Sequence, residues 1–367
     1  MKNPVAGLRI TLVGPLPPPS GGMANQTQQL SRLLFLEGIY VDLVQVNAPY
    51  RPDWVKEIKL IRAVFRFLPY LWILWNSIKQ SQFVHVMANS GWAWHLFAAP
   101  AVWVSRIHRK PIIINYRGGG AETFFSKSFF WVRPTLKAAD AIVVPSAFLE
   151  KTFTQRGFKS VIIENIIDLG RFTSQSKTLN SSTPHIIVTR NLERIYDIPT
   201  SLRAFAVLKE DYPSARLTIA GSGSLSEELK NLAAELGIDK QVTFTGRLNN
   251  EDIASLYHAA DIFLNSSLTD NMPISFLEAM ACAVPIVSSD VGGIPYLVEN
   301  EKNALLVPAG DCIAMAHAIK RLLKNPDLVI LLTESGLEKV KKLSWSYIRE
   351  KWLSMYYELL VNKRKRY

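Results

Sequence analysis

Short apolar runs alternate with longer amphipathic stretches through almost the whole chain, and this alternation limits the fold more than any other feature. The short runs are rich in Val, Ile and Leu, as buried strands are, whereas the stretches between them have the length and periodicity of helices. A strand followed by a helix, repeated many times, is typical of a parallel sheet covered by helices on both faces. We therefore predict an α/β fold of doubly wound parallel sheets.

The predicted strands form two sets of six, separated by a polar segment rich in Ser and Thr. The first set lies at residues 8–13, 40–46, 83–88, 111–116, 141–145 and 160–164. The second set lies at residues 185–190, 216–221, 241–246, 261–266, 285–289 and 304–308. The sequence thus predicts two tandem Rossmann-like domains, residues 1–170 and 185–343, joined by a linker at 171–184. Because ligands bind at the carboxyl ends of such strands, we expect the site in the cleft between the domains.

Positive charge is concentrated in the first half of the chain. Residues 1–170 contain 19 Lys and Arg against 9 Asp and Glu, whereas residues 171–367 contain 23 against 22. No nucleic-acid recognition motif accompanies this charge, so we expect no nucleic-acid partner, and a membrane surface or an anionic substrate is the better interpretation. Seven of the nine Trp also precede residue 132, either as part of a Trp-rich core or as an interfacial belt.

The apolar segment Phe67–Trp75 is the strongest candidate for contact with a membrane. It is shorter than the roughly 20 residues of a spanning helix, and we expect Pro69 to interrupt it. Surrounding basic residues would let it lie flat on anionic lipid: Lys56, Lys59, Arg62, Arg66 and Lys79. A buried helix of the first domain is the alternative.

Two further features favour a cytoplasmic location. Cys282 and Cys312 are the only cysteines, too few for a disulfide framework, which favours a reducing compartment. The first residues contain no apolar stretch of signal-peptide length before the first Pro and Gly. We therefore expect a cytoplasmic protein, with peripheral attachment to the inner face of the membrane left open.

Candidate binding residues follow the strands of the second predicted domain. Arg190 ends the first strand, Gly221 and Gly223 follow the second, and Arg247 follows the third. Since the carboxyl ends of parallel strands meet at one edge of a sheet, we expect these residues to lie near one another.

The fourth strand leads through Asp270 and Asn271 into a helix that we expect to begin near Met272 or Pro273, because proline suits the first turn. The unpaired N–H groups at such a helix start form an anion site, and phosphate is its usual ligand. Arg190 is placed to bind the same anion through charge-assisted hydrogen bonds.

Two carboxylates accompany this helix. Asp270 precedes it and is suited to accept hydrogen bonds from sugar hydroxyls, whereas Glu278, about two turns further on, is suited to accept from both hydroxyls of a ribose. In the alternative interpretation, Asp270 only caps the helix and Glu278 only lies on a solvated helix face.

The motifs around these residues resemble the donor domain of the retaining glycosyltransferases of family 4, which have the two-domain GT-B fold. The resemblance rests on "RLTIAGSGSLSEELKNLAAELGIDKQVTFTGRLNNEDIASLYHAADIFL" and "LEAMACAVPIVSSDVGGIPYLVEN", and it is close over residues 185–310. The first half matches more loosely, through "VGPLPPPSGGMANQ", "FVHVMANSG" and "ENIIDLGRF". The fold also implies that the last amphipathic helix, residues 344–361, packs back onto the first domain.

The resemblance implies roles for the residues of the second domain. Glu278 matches the second member of the family's E-x7-E pair, which holds the ribose, and Asp270 matches the first, one methylene shorter, as in a subgroup of the family. Arg190 matches the Arg of an Arg–Lys pair on the diphosphate. The Lys is absent here, and "RNLERIYDIP" offers Arg194 in its place.

In the first domain, the resemblance implies a glycine loop near the donor phosphates, formed here by Gly21 and Gly22. A family His often faces the sugar from the end of a strand of this domain, and Arg117 occupies the corresponding place. His85 is another candidate for a catalytic role, with a hydrogen-bonded histidine in a buried strand as the alternative.

The implied activity is transfer of a hexose or N-acetylhexosamine from a UDP or GDP sugar to a glycan or lipid-linked acceptor. The anomeric configuration is retained and no protein nucleophile is needed, as in the synthesis of cell-surface polysaccharide or glycolipid. We expect no cofactor and no metal, because the chain has no Asp-x-Asp pair and its histidines lack metal-ligand spacing. A sugar-nucleotide epimerase of the same fold and a non-catalytic sugar-nucleotide-binding protein remain the alternatives.

Overall fold

The structure, a computed structural model, describes most of the chain. The described residues are 5–18, 21–49, 59–175 and 179–366, without the side chains of residues 59–63, 250 and 362–366. Trp54 and Lys56, which contribute to the predicted belt and basic segment, lie outside the described residues.

The chain divides into two compact units. Unit 1 comprises Met1–Ile166 and Trp345–Tyr367, and unit 2 comprises Ile167–Ser344. In unit 2 the segment that we predict as a linker packs on its own unit, since the buried ring of Phe172 lies 6.0 Å from that of Tyr257.

Each unit contains a parallel sheet of six strands in the described part of the chain. The strands of unit 1 are β1 Arg9–Gly14, β2 Tyr40–Gln45, β3 Phe83–Ala88, β4 Ile112–Tyr116, β5 Ala141–Val144 and β6 Val161–Ile162. Those of unit 2 are β7 His185–Val188, β8 Arg216–Ala220, β9 Val242–Gly246, β10 Ile262–Asn265, β11 Ile286–Ser289 and β12 Leu305–Val307. Every strand lies where the sequence predicts it, and the predicted fold class is confirmed.

Helices connect these strands, and three more helices of the described residues follow the last strand, β12. They are α1 Gly22–Leu36, α2 Lys59–Gln80, α3 Ala99–Ile107, α4 Ala121–Ala138, α5 Ala147–Thr154, α6 Ile198–Asp211, α7 Ser226–Glu235, α8 Asn250–Ala259, α9 Ile274–Ala281, α10 Ile294–Leu297, α11 Cys312–Lys324, α12 Pro326–Lys341 and α13 Trp345–Arg366. The short helix α10 is not predicted from the sequence, because a single turn shows no periodicity.

The strands β3, β4, β7, β10 and β11 are buried along their whole length, as expected for parallel sheets covered on both faces. In unit 1 the last helix, α13, supplies part of this cover. The ring of Trp352 lies 4.8 Å from that of His85, and the ring of Tyr356 lies 4.7 Å from that of Phe83.

The strand order places one reversal of direction in each sheet. In unit 2 the order is β12-β11-β10-β7-β8-β9, so the chain runs outward from β7 to β9 and then returns to β10 on the other side of β7. In unit 1 the order is β2-β1-β3-β4-β5-β6, with the reversal between β1 and β3. Such switch points, at the carboxyl ends of the strands, are where open α/β sheets bind ligands.

Helix α2 corrects one expectation. Pro69 does not interrupt it, and the helix runs from Lys59 to Gln80. Pro69 is exposed, so its ring points away from the core of unit 1. Among the helices of the described residues, none combines the length and apolarity needed to cross a membrane.

Candidate active site in unit 2

Arg190 and Asp270 meet at the switch point of unit 2. Arg190 follows β7 and Asp270 lies in the loop after β10, and their Nη2 and Oδ2 atoms are 2.6 Å apart. Both side chains are mostly buried, at 11% and 15% exposed. The Arg190 Nε donates to Oδ1 of Asn265 at 2.9 Å, and its guanidinium lies over the ring of Tyr196, 5.3 Å from the ring centre. The structure thus holds a cation and a carboxylate in a defined orientation at the expected edge of the sheet.

The loops after β7 and β10 are joined by hydrogen bonds. The Ser266 hydroxyl lies 3.1 Å from the carbonyl oxygen of Tyr196 and 2.7 Å from that of Asp197. The backbone N–H of Leu268 donates to the carbonyl of Ile195 at 2.9 Å. These bonds fix the position of the Arg190 loop relative to the Asp270 loop.

The loop after β11 packs against the same segment. The N–H of Gly293 donates to the carbonyl of Asp270 at 2.8 Å. A Cβ at Gly292 would lie 2.4 Å from that carbonyl oxygen, and one at Gly293 would lie 2.1 Å from the carbonyl oxygen of Asn271, so only glycine fits at either position. Asn271 and Met272 are buried under this contact. Two consecutive glycines shortly after a predicted strand indicate such a close backbone contact, but our sequence interpretation did not predict it.

Gly221 and Gly223 allow a similar close approach on the other side of Arg190. A Cβ at Gly221 would lie 1.9 Å from the carbonyl oxygen of Arg190, and one at Gly223 would lie 2.3 Å from that of Leu192. Backbone packing alone therefore requires glycine at both positions, and their direct contact with a ligand stays a prediction.

We expect Gly221→Ala to lower the free energy of unfolding by about 3 kcal/mol or more, because the added methyl collides with backbone that cannot rotate away. Urea unfolding of both proteins measures the difference. Gly120→Ala is the matched control, since a Cβ at Gly120 meets nothing within 4 Å. Equal stability of the Gly221 variant and the wild type would contradict this packing.

Glu193 is a site-loop residue that the sequence interpretation missed. Its carboxylate accepts from the backbone N–H of Ser224 at 3.2 Å and from the Ser224 hydroxyl at 3.0 Å. The loop after β8 is therefore fastened to the loop that carries Arg190. Nothing in the local sequence around Glu193 indicates that its carboxylate binds a residue about 30 positions further along the chain.

The N-termini of α7 and α9 differ in charge. The first turn of α7 contains Glu227 and Glu228, whose charges already complement the helix dipole. Helix α9 begins at Ile274, close to the predicted position; it has no acidic residue in its first turn, and its N-cap, Pro273, offers no side-chain acceptor. The Ser275 hydroxyl in this turn is buried and has no hydrogen-bond partner among the described residues. Of these two helix starts, that of α9 is the better anion site.

Glu278 lies on α9 with part of its side chain exposed. Burial raises the pKa of its carboxyl to about 7, although the Tyr257 hydroxyl and the charges of Arg190 and Arg171 act in the opposite direction. The Tyr257 hydroxyl lies 2.6 Å from Oγ1 of Thr189, in the first residue after β7. Glu278 is therefore part of the same polar cluster as Arg190 and does not lie on a fully solvated helix face.

The two remaining predicted cations of unit 2, Arg194 and Arg247, are exposed. Arg194 is exposed and begins a 3₁₀ turn, Arg194–Tyr196, whose last ring supports Arg190. Arg247 is exposed and follows the edge strand β9. The carbonyl of the preceding residue, Gly246, accepts from the N–H of Gly221 at 2.9 Å, and a role for the Arg247 side chain in binding stays a prediction. In the parts of the chain that the structure describes, no three His, Cys, Asp or Glu side chains come together as metal ligands would.

In unit 1 the predicted glycine loop lies beside the switch point between β1 and β3. Gly21 is the N-cap of α1, and Gly22 is the first residue of that helix. Among the described residues, a Cβ at Gly21 would meet nothing within 4 Å, so packing alone does not require glycine at this position. A Cβ at Gly118, after β4, would lie 2.6 Å from both Oδ1 of Asn89 and Oγ of Ser90, so a larger residue there would displace these two side chains.

His85 and Arg117 belong to a buried polar network of unit 1. The two ring nitrogens of His85 lie 2.9 Å from the Tyr356 hydroxyl and 2.9 Å from Nδ2 of Asn115. Arg117 donates from Nε to Oδ1 of Asn115 at 2.7 Å and from Nη1 to Oδ1 of Asn165. Burial lowers the pKa of His85 to about 3, with a smaller contribution from Arg117, and lowers that of Arg117 to about 9. This is the hydrogen-bonded histidine of the alternative interpretation, and the position gives no support to a catalytic role for His85.

Comparison with known proteins assigns a family to this arrangement. Residues 171–337 match the family model described as glycosyl transferases group 1, and residues 20–171 match the model described as glycosyltransferase family 4. The two matches together extend over residues 20–337, and the chain belongs to the GT-B glycosyltransferases of these groups.

Among curated proteins, an uncharacterized glycosyltransferase of Haemophilus influenzae is 30% identical over 200 residues, which cover 52% of this chain and 56% of that protein. A D-inositol 3-phosphate glycosyltransferase of Saccharomonospora viridis is 34% identical over 169 residues, which cover 44% of this chain and 39% of that protein. The chain therefore matches about two fifths to just over half of the length of these relatives.

Solved structures extend the likeness of fold to the whole chain. Sucrose-phosphate synthase from Thermosynechococcus elongatus has a TM-score of 0.76 at 21% identity, covering 97% of this chain and 100% of that one. The Anabaena protein HepE in complex with UDP-glucose has a TM-score of 0.74 at 16% identity, covering 96% and 99%. At these identities the likeness shows the fold alone.

Proposed function

We propose that the protein transfers a hexose or N-acetylhexosamine from a UDP or GDP sugar to a glycan or lipid-linked acceptor, with retention of the anomeric configuration. The observation that carries this proposal is the convergence of Arg190, Asp270 and the uncapped start of α9 at the switch point of unit 2. A cation and helix N–H groups suit a diphosphate, and a neighbouring carboxylate suits sugar hydroxyls.

Arg190 and the first N–H groups of α9 would stabilise the negative charge that develops on the departing diphosphate. Such preorganised donors are usually the largest contribution to catalysis of this kind of step, because they need no reorganisation when the charge appears. The acceptor hydroxyl would attack the anomeric carbon from the face that the diphosphate leaves, so no protein nucleophile is required. Asp270, already held by Arg190 and by the N–H of Asn271 at 2.8 Å, would orient the sugar.

Glu278 would accept hydrogen bonds from both ribose hydroxyls of the nucleotide. An ionised carboxylate is acceptor-only, which suits two hydroxyl donors, whereas the protonated form would lose part of that capacity. The raised pKa of Glu278 therefore makes nucleotide binding sensitive to pH near neutrality.

Two findings from other proteins support a nucleotide-sugar donor. The solved structures with the same fold include HepE in complex with UDP and glucose, and the curated relatives are named as glycosyltransferases. We propose that the pathway is the synthesis of cell-surface polysaccharide or glycolipid, and that metal is not needed for the chemical step.

We expect one class of nucleotide sugar to raise the melting temperature when UDP-, GDP- and ADP-sugars are compared by thermal shift. A ligand at ten times its Kd adds about 1.4 kcal/mol to the free energy of unfolding. The same donor should then be consumed with lipid and oligosaccharide acceptors, with or without EDTA, and NMR of the product should show the anomer of the donor.

Each alternative has its own outcome in this experiment. Conversion of the donor to an epimer without acceptor would identify an epimerase, and binding without transfer to any acceptor would identify a non-catalytic binding protein. Absence of a shift with every nucleotide sugar would overturn the donor site itself.

A further inference from the structure

Helix α2 is apolar on both of its faces. Its inner face is buried in the core of unit 1 through Tyr70, Leu74 and Ile78, each at most 3% exposed. Its outer face carries large apolar side chains that are 43–71% exposed: Phe65, Leu68, Trp72 and Trp75. A surface helix of a water-soluble protein normally turns a polar face outward, so the outer face of α2 needs another explanation.

Helices α3 and α4 continue this surface. The connections from β2 to β3, β3 to β4 and β4 to β5 all advance in one direction along the sheet, and right-handed crossovers therefore place α2, α3 and α4 on the same face. The ring of Trp75 on α2 lies 4.3 Å from that of His108 after α3, and Nε1 of Trp103 on α3 lies 3.3 Å from Oγ1 of Thr135 on α4. The three helices are therefore side by side.

The exposed apolar side chains of these three helices form what we call the apolar face of unit 1. It consists of Phe65, Leu68, Trp72, Trp75, Trp103, Ile107, Phe130 and Trp131, each at least 43% exposed. Trp131 lies one turn before Thr135, which Trp103 covers, so the contributions of α3 and α4 adjoin. Contiguous apolar surface of this kind marks a site of interaction.

The charge around the apolar face is almost entirely positive. Residues 59–140 contain 11 Lys and Arg and two acidic residues, Glu122 and Asp140, of which Asp140 pairs with Arg106. Exposed basic side chains alternate with the apolar ones along the three helices and just beyond them: Lys79, Arg106, Arg109, Lys127, Arg133 and Lys137. A partner that covers the apolar face must therefore be apolar at the contact and negatively charged around it.

We propose that the apolar face of unit 1 docks onto the surface of an anionic lipid bilayer, with α2, α3 and α4 lying in the plane of the headgroups. Indole rings favour the membrane–water interface, and basic side chains bind anionic headgroups. Leu68 and Ile107 have no ring to stack on bases, which favours lipid over nucleic acid. A second copy of the chain would oppose mostly basic residues to basic residues, since positive charge predominates on this surface.

Flotation of the full-length protein with vesicles tests this proposal. We expect binding to vesicles of equal phosphatidylcholine and phosphatidylglycerol at about 0.1 M NaCl, little binding to phosphatidylcholine alone, and loss of binding at about 0.5 M NaCl. Trp72→Ser combined with Trp131→Ser should weaken partition by at least about tenfold, because two large apolar side chains no longer enter the interface. Lys127→Glu, Arg133→Glu and Lys137→Glu together should weaken it at least roughly 100-fold, because each lost basic residue accounts for about fivefold and each added Glu repels the anionic lipid.

The matched controls change exposed side chains that do not belong to the apolar face. Tyr347→Ser on α13 and Leu331→Ser on α12 change residues that are 60% and 54% exposed, and both variants should bind vesicles as the wild type does. Thermal melting of every variant shows that it is folded. Wild-type binding by the Trp72/Trp131 variant, or no binding of the wild type to anionic vesicles, would overturn the proposal.

Two other outcomes would also overturn it. Concentration-dependent dimerisation that Trp72→Ser abolishes would assign the face to a second copy of the chain, and competition of a nucleic acid for the same residues would assign it to that polymer. Vesicle binding is measured without a nucleotide sugar, so its failure leaves the proposed donor site untouched.

Discussion

Arg190→Ala is expected to lower kcat/KM for glycosyl transfer by roughly 10²–10³-fold, the usual loss when one preorganised donor to a developing negative charge is removed. The guanidinium is fixed from three directions, by Asp270, Asn265 and the ring of Tyr196. Lys cannot reproduce the planar fork, so Arg190→Lys should recover only part of the loss. Steady-state kinetics with a saturating acceptor measures both variants.

A structural effect has to be separated from a catalytic one, because Arg190→Ala also leaves the mostly buried Asp270 without its cation. A buried carboxylate left without its cation lowers the free energy of unfolding by up to about 3–5 kcal/mol. The double variant Arg190→Ala/Asp270→Ala should recover much of that stability but none of the activity. Arg203→Ala, an exposed arginine of α6, is the matched control. Near wild-type kinetics in the folded double variant would exclude Arg190 from the diphosphate site.

The positions of all twelve strands follow from the sequence because parallel strands are buried on both faces and appear as continuous apolar runs. The order of the strands in the sheets cannot be predicted in the same way. A crossover has about the same length whether the next strand is added at the growing edge of the sheet or on the other side of the first strand. The place of β10 beside β7, which makes the switch point, is visible only in the structure.

The candidate site was predictable to the extent that residues at the carboxyl ends of strands share one edge of a sheet. That argument brings Arg190 and Asp270 to the same loops, where the structure pairs them. It also places Arg247 directly after Gly246, whose carbonyl accepts from the N–H of Gly221, but whether the Arg247 side chain binds a ligand stays a prediction. Partners separated by long stretches of chain, such as Glu193 and Ser224, leave no local pattern in the sequence.

Glycines and buried polar residues show a second limit of sequence interpretation. The sequence suggests that Gly221 is a glycine because it faces a ligand. The structure shows a second reason, since the backbone of Gly221 packs closely against the backbone of Arg190 and leaves no room for a side chain. His85 lies in an apolar strand in both interpretations. Only the structure shows that both of its ring nitrogens are within hydrogen-bond distance of a partner, one of Tyr356 and the other of Asn115. Residue type thus predicts that a position is constrained but not what constrains it.

Glu278→Gln is expected to stabilise the protein in the absence of ligand at pH 8 and to leave it unchanged near pH 4. The pKa of Glu278 is raised from 4.5 to about 7, so its contribution to stability is present in full below pH 4.5 and is lost as the pH rises through 7. The difference corresponds to about 3 kcal/mol at high pH, or a shift of several degrees in the melting temperature. Calorimetry of the variant and the wild type over this pH range measures it, with the exposed Glu338→Gln of α12 as control.

The same substitution should act in the opposite direction on nucleotide binding. A UDP-sugar has no group of its own that titrates between pH 6 and 8, so its affinity for the wild type should rise about tenfold over this range as Glu278 ionises. The Gln variant, which cannot ionise, should bind more weakly at pH 8 and show no dependence on pH. A residue with only a structural role would not weaken binding while it stabilises the unliganded protein. If the Gln variant gains stability and still binds the UDP-sugar with the pH profile of the wild type, the ribose is held by another group.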